Sequence, residues 1–305
     1  MRSLNVTDGA RASQSVRGGF TLIEILIVVA IIALIAAASL VALGGARGFF
    51  SNVTLKMQLD DVSRALELYK QKYGEYPPDC CATDSEIKRH ILKRWPKVLK
   101  AGKNNPNWIS SMIGLARVEM QRTPGSAALF WLAGPPVPTP DGPVYDGFLA
   151  DVMNPFGLDA SGARMAYADI KDEPCEEPLI ELKYHSEEMG EGNYDDEGFC
   201  FAGQTLAYFR GEGTKGSYAG KEYHWGNVGV VAPYMKNGAW YKPDSFQLIL
   251  PGADGIYGSD PYGNEGHTEH DYVARDVAVK DTLSLEDWDN VTNFTNGAAL
   301  DSEQD

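Results

Sequence analysis

Residues Phe20 to Leu43 read FTLIEILIVVAIIALIAAASLVAL, an apolar run interrupted by one charge, Glu24. As a helix, a run of this length spans ~36 Å, enough to cross a bilayer. A carboxylate inside such a segment costs roughly 2.5–3.5 kcal/mol on insertion scales, so it calls for a partner or a purpose. Arg17-Gly18-Gly19 stands directly before the run. A cut after Gly19 would make Phe20 the first residue and place Glu24 close to a new α-amino group. Arg2, Arg11 and Arg17 precede the run against a single Asp8. The positive-inside rule therefore keeps the N-terminus cytoplasmic and puts the C-terminal bulk outside the inner membrane.

Two plainer readings compete. A secretory signal peptide would use Ala36-Ala37-Ala38 as its cleavage site, but its apolar region would exceed the usual length and would hold a glutamate. A simple anchor would leave Glu24 without a role. The junction itself decides between them. Gly18-Gly19-Phe20-Thr21-Leu22-Ile23-Glu24 followed by a long aliphatic helix resembles the prepilin leader of type IV pilins and type II secretion pseudopilins. That resemblance implies cleavage after Gly19 by a prepilin peptidase, methylation of the Phe20 amine, and a role for Glu24 in aligning each incoming subunit with its neighbour.

The chain has 305 residues and a net charge of −15, which argues against nucleic acid as a partner, since a basic footprint is missing. It suits solubility and divalent cations. Cys80, Cys81, Cys175 and Cys200 are disulfide candidates outside the cytoplasm. They allow three connectivities. Neighbouring residues are poorly placed to bond to each other, and one framework ties Cys80 and Cys81 to Cys175 and Cys200. Without CxxC spacing, a zinc site is disfavoured.

The apolar pattern continues past the membrane segment. Leu55, Leu59, Val62, Leu66, Tyr69 and Tyr73 recur every three or four residues, which marks one face of a helix. Gly44, Gly45 and Gly48 predict local melting or a bend, each weakening a helix by about 0.8–1 kcal/mol. Gly74 and Pro77-Pro78 end it. The helix exit, Leu66 to Tyr69 through Gly74-Glu75-Tyr76-Pro77, resembles that of the major pseudopilin of type II secretion.

In the middle of the chain, Thr83-Asp84-Ser85-Glu86 caps a helix running to about Arg94. Its Lys88, Arg89, His90, Lys93 and Arg94 read as a solvated or docking face. Asn107–Glu119 and Ser126–Leu132 predict two further helices, and the proline-rich stretch 134–142 a rigid loop. Strand-like runs follow at Met165–Ile170, Leu179–Tyr184, Phe199–Phe209, Val228–Tyr234 and Ser245–Leu250, with a turn at Lys236-Asn237-Gly238. No internal repeat stands out.

Ser245 to Gly255, with its Gly252-Ala253-Asp254-Gly255 turn, resembles the last strand and calcium-wrapping turn of the major pseudopilin. Asp287-Trp288-Asp289-Asn290 and the residues to Phe294 resemble its second acidic stretch. The resemblance implies Asp254, Asp289 and Asn290 as ligands of a calcium ion, which takes six to eight oxygens. About 30 residues separate the two halves here, where the family keeps a short loop. A solvated acidic loop without metal is the competing reading. His267-Thr268-Glu269-His270 lacks the HExxH order of a metalloprotease, and no Walker, GxSxG or dinucleotide signal appears in the right context.

These readings predict an α+β, pilin-like fold. A long N-terminal helix, part transmembrane and part amphipathic, would pack on an antiparallel sheet with a helical insertion and a long acidic C-terminal loop. The expected divisions are a leader at 1–19, a transmembrane helix at 20–43, an amphipathic periplasmic helix at 44–76, an insertion at 77–163, and sheet plus acidic loop at 164–305. The expected function is a structural subunit, not an enzyme, in a periplasmic pseudopilus. It would be a single-pass inner-membrane protein whose partners are other pilin or pseudopilin subunits, a prepilin peptidase, the inner-membrane secretion platform and the membrane. A surface type IV pilin or minor pilin is the alternative within the class. An anchored periplasmic binding module or hydrolase is the alternative outside it.

Overall fold

The computed structural model describes residues 22–101, 107–139, 142–181, 194–195, 198–201, 204–212, 218–225, 229–252, 255–258, 275–278, 283, 286–295 and 300. Two compact units are distinguished, Met1–Arg47 and Gly48–Asp305.

Helix α1 runs from Leu22 to Tyr73 and holds Gly44, Gly45 and Gly48 in helical conformation, where their low propensity predicts local melting or a bend. The residues expected along one face behave as a stripe: Leu55, Leu59, Val62, Leu66 and Tyr69 are sealed from solvent. Each such side chain contributes about 1.5–3 kcal/mol by leaving water. Gly74, at φ +80°, closes the helix, and its N–H donates to the Lys70 carbonyl.

What the stripe packs on is a three-stranded antiparallel sheet of β6 (Ala207–Arg210), β11 (Phe246–Leu250) and β13 (Val291–Thr292). β11 pairs with both neighbours, Leu248 facing Tyr208 and Leu250 facing Val291. Alternation along β11 divides its side chains between two cores. Phe246, Leu248 and Leu250, with Tyr208 and Val291, join the α1 stripe. Ile249, with Ala207 and Phe209, joins a second core containing Tyr218, Val231, Tyr234 and Tyr257. Burial on both faces is why Phe246–Leu250 reads as a nearly unbroken apolar run. Gln247 is its polar exception, and it is fully satisfied. Its Oε1 accepts from the Tyr234 N–H at 2.7 Å, and its Nε2 donates to the carbonyls of Tyr234 and Tyr241, both at 2.9 Å.

The helices after α1 share the first core. α2 (Asp84–Arg94) starts on the expected capping box: the Thr83 hydroxyl accepts from the Glu86 N–H and the Glu86 carboxylate from the Thr83 N–H. A short α3 (Val98–Ala101) follows. α4 (Trp108–Met120) and α5 (Ser126–Ala133) match the expected helices within a residue, and every residue of α5 is buried. Trp95, Phe130, Trp131, Phe148 and Phe156 stack into one aromatic cluster inside that core. The segment expected as an insertion is therefore continuous with the packing of α1.

Other strands are short. β1 (Val137–Thr139) pairs with β2 (Gly142–Val144). β3 (Tyr194–Asp195), β4 (Gly198–Phe201) and β5 (Gln204–Thr205) form a meander. β7 (Tyr223–Trp225) pairs with β8 (Gly229–Val231). β9 (Tyr234–Lys236) and β10 (Ala239–Trp240) form a hairpin whose Asn237 and Gly238 both take positive φ, as the Lys-Asn-Gly turn predicts.

Several expectations are corrected. Val228–Tyr234 is not one strand: β8 ends at Val231, β9 begins at Tyr234, and Val228 lies outside the described residues. The stretch 134–142 is not only loop, since it holds β1 and the start of β2. Met165–Ile170 is not a strand but contains a short helix, α6 (Tyr167–Ile170). Phe199–Phe209 is not one strand but β4, β5 and β6, because Cys200 pairs back on Thr205. The sheets are also not wholly antiparallel: β12 (Arg275–Asp276) pairs in parallel with β9. Of Leu179–Tyr184, residues 179–181 are not strand and 182–184 lie outside the described residues.

Candidate functional site

Apart from Glu24, the start of α1 is apolar on every side. Each described large apolar residue from Leu22 to Ile32 is 50% exposed or more, reaching 83% at Leu22. A helix apolar all round is one that lies in a membrane or among partner helices. Gly19 and Phe20 lie outside the described residues, as do the side chains of Glu24 and of residues 33–52, although the helix runs through these last. Among the described residues no helix is long and apolar enough to cross a membrane. The span expected at 20–43 is thus described only in part.

The C-terminal acidic segment is only partly described. Asp254 lies outside the described residues, with Asp260, Glu265, His267, Glu269, His270, Asp271 and Asp281. Asp287, Asp289 and Asn290 are described, on and just after a 3₁₀ turn at Glu286–Asp289. Asp287 is sealed from solvent and committed: its Oδ1 accepts from Arg275 Nη1 and, at 2.7 Å, from the Tyr234 hydroxyl. Asn290 is equally buried. Its Nδ2 donates to the Tyr257 carbonyl at 2.6 Å and to the Tyr234 hydroxyl at 2.8 Å, while its Oδ1 accepts no hydrogen bond. Gly252, two residues before Asp254, lies so close to Asp289 that a Cβ there would collide with the Asp289 carboxyl group. Gly252 and the second acidic stretch are therefore brought together. Gln204 holds the turn from the side, its Nε2 donating to the Gly252 carbonyl. Among the described residues no three His, Cys, Asp or Glu side chains gather to hold a metal. The donor chemistry on view is oxygen: the Asn290 amide, the Asp289 carboxylate and the Gly252 carbonyl. It suits a hard cation and not zinc.

Cys80, Cys81 and Cys175 carry free thiols. Cys175 is exposed, with its backbone bridged to Leu149. The Cys200 side chain lies outside the described residues.

Sequence spacing did not reveal two buried polar clusters. In the first, Asp79 is 1% exposed and accepts from Lys221 Nζ at 2.7 Å and from the Arg210 N–H at 2.8 Å. In the second, His90 of α2 sits between Tyr69 and Glu75, 2.7 Å from each. Arg94 Nη1 donates to the Tyr69 hydroxyl, which leaves that hydroxyl to donate to His90 Nε2. The His90 Nδ1–H then donates to Glu75. Hydrogen bonding from His90, aided by Lys93, holds the Glu75 carboxyl down at about 2, and burial lowers His90, which favours its neutral form. Arg94 also lies over the Tyr73 and Trp95 rings and pairs with Glu176 at 3.0 Å. Of the basic run on α2, His90 and Arg94 therefore serve the core, and Lys88 and Arg89 remain exposed. A cleft of about 390 Å³ beside this cluster is lined by charges of both signs, among them Lys70, Glu75, Glu86 and Arg210.

The chain carries a prokaryotic N-terminal methylation motif over residues 15–40. The motif is of the prepilin type and supports a pilin- or pseudopilin-type protein. It implies processing by a prepilin peptidase and assembly with other pilin subunits. No curated protein and no solved structure matches the chain.

Proposed function

We propose that this chain is a structural subunit of a type II secretion pseudopilus and not an enzyme. A prepilin peptidase cuts it between Gly19 and Phe20 and methylates the Phe20 amine. The apolar start of α1 anchors it in the inner membrane with the bulk of the chain in the periplasm, and Glu24 pairs with the amine of a neighbouring subunit during assembly. The observation that carries this reading is the methylation motif at 15–40 running into a helix whose apolar side chains stand exposed over Leu22–Ile32. The secretion system is preferred to a surface pilus on the strand-and-turn likeness of Ser245–Gly255 and the acidic stretch at 287–294.

Calcium belongs to the same reading. Asp254, Asp289 and Asn290 would hold the ion, whose charge would neutralise the carboxylates of the two halves of the acidic loop. The buried Asn290 Oδ1, which accepts no hydrogen bond, and the close approach of Gly252 to Asp289 support this.

The test is crosslinking of the chain in envelope fractions, combined with assay of secreted proteins after its deletion. Ladders that vanish without the prepilin peptidase, together with exoproteins trapped in the periplasm, are expected. Surface filaments bearing this chain, with secretion unimpaired, would move it to the pilus class.

A further inference from the structure

We propose that Cys80 and Cys81 bond reversibly to each other, making the turn at the exit of α1 a dithiol site for oxidants of the disulfide class. Their sulfurs are 3.8 Å apart, in van der Waals contact. Cys80 is buried in the core that contains Ala207, Phe209 and Tyr218, while Cys81 is half-buried with its Sγ beside the Glu222 carbonyl. Cys175 is not near: its Sγ contacts the Glu173 carbonyl and its backbone bridges Leu149.

The turn is held on both sides of the pair. The Cys81 N–H donates to Asp79 Oδ1 at 3.1 Å, and Gln121 Nε2 donates to the Cys80 carbonyl at 3.1 Å. Asp79 is itself fixed by Lys221 and by the Arg210 N–H. The sulfurs are thus presented to each other by a rigid frame.

Accessibility sets the order of events. The half-buried Cys81 thiolate attacks one sulfur of the oxidant, whose S–S bond breaks and releases a first thiol. The Cys80 thiolate then attacks the Cys81 sulfur of the mixed disulfide and releases the second thiol. The pair loses two hydrogens and gains one S–S bond, and the oxidant is reduced to two thiols. Contact with Cys81, then burial and Asp79, push the Cys80 thiol up, which disfavours it as the first nucleophile. Cα atoms across a trans peptide lie about 3.8 Å apart, below the roughly 4.4–6.8 Å usual for disulfides. The resulting ring is strained and more easily reduced, so it is a reversible link and not a permanent staple.

The experiment uses the reduced full chain in detergent, incubated with oxidised glutathione, quenched in acid, alkylated, digested and weighed. The peptide holding residues 80 and 81 is expected unalkylated and two hydrogens lighter, with dithiothreitol restoring alkylation. The same loss is expected in Cys175→Ser/Cys200→Ser. In Cys80→Ser, Cys81 is expected to accumulate a glutathione adduct. Full alkylation of both residues after oxidation, or a crosslink from either to Cys175 or Cys200, overturns the proposal.

Discussion

From Leu22 to Ile32 every described large apolar side chain of α1 is half exposed or more, whereas Leu55, Leu59, Val62, Leu66 and Tyr69 are sealed. Both stretches are helical and both are rich in aliphatic residues. They differ in arrangement. The later stretch carries most of its apolar residues on one face, which matches β6, β11 and β13, while Asp60, Asp61 and Glu67 lie off that face together with the exposed Met57 and Leu68. Apart from Glu24, the earlier stretch is apolar all round and finds no such cover within the described residues. One face is a specification for the chain's own core, while apolar character on all faces calls for an environment supplied from outside.

The sharpest way to break that comparison is Glu24→Ala. Removing a charge from an apolar segment eases insertion, so the anchor is expected to survive. Assembly is expected to be lost, since the carboxylate partner for a neighbour's amine is gone. Wild-type crosslinking ladders in this variant would refute the pairing.

Next in size is a paired truncation along α1. Leu66→Ala is expected to lower unfolding stability by about 2–5 kcal/mol, through lost burial and a cavity against the sheet. Ile27→Ala is expected to change it by no more than about 0.5 kcal/mol, because that side chain is 50% exposed among the described residues. Equal losses at the two positions in a denaturant titration would show that the early turns belong to the same core.

Calcium bears on the cover at the far end of the sheet, where β13 follows Asn290 directly. A cation that binds only the folded form is expected to stabilise it by about 2.7 kcal/mol at a hundredfold excess over Kd. Magnesium is expected to substitute poorly, and Asp254→Ala to abolish the shift. Melts unchanged by chelator would leave the acidic segment merely solvated.

A smaller effect comes from acid. Glu75 ordinarily titrates near 4.5 and is held at about 2 in the fold, chiefly by its hydrogen bond with His90. The stability it contributes is complete above its unfolded value and is lost as pH falls from about 4.5 toward 2. His90, lowered from 6.5 by burial, adds a loss that begins as pH drops below 6.5, because the unfolded chain takes up that proton first. Glu75→Gln is expected to flatten the lower part of the curve. An unchanged slope between pH 4.5 and 2 would show that the pair does not anchor the end of α1.

Local rules made much of this legible. A Thr-x-x-Glu box, a three-and-four apolar rhythm and an Asn-Gly turn each state their structure within a few residues, and α2, the α1 stripe and the β9–β10 hairpin follow them. The failures were of two kinds. Met165–Ile170 has the apolar content of a strand, but it closes on itself locally, with the Asp169 N–H donating to the Ala166 carbonyl. The parallel β12 and the Asp79–Lys221 pair depend on residues far apart in sequence, 142 positions in the latter, and no local pattern records them. At the candidate site, Gly252 and Asp289 were legible as neighbours only through a family likeness. The bond from Gln204 to Gly252 was not legible, because a lone glutamine in a strand carries no signal.

The central claim is that the early turns of α1 are a processed, assembling segment. Mass spectrometry of the mature N-terminus tests it most directly. A chain beginning at Phe20 with a methylated amine is expected in membranes that contain an active prepilin peptidase. A chain retaining Met1 in those membranes, or one beginning at Ser39 after signal-peptide cleavage, would contradict it.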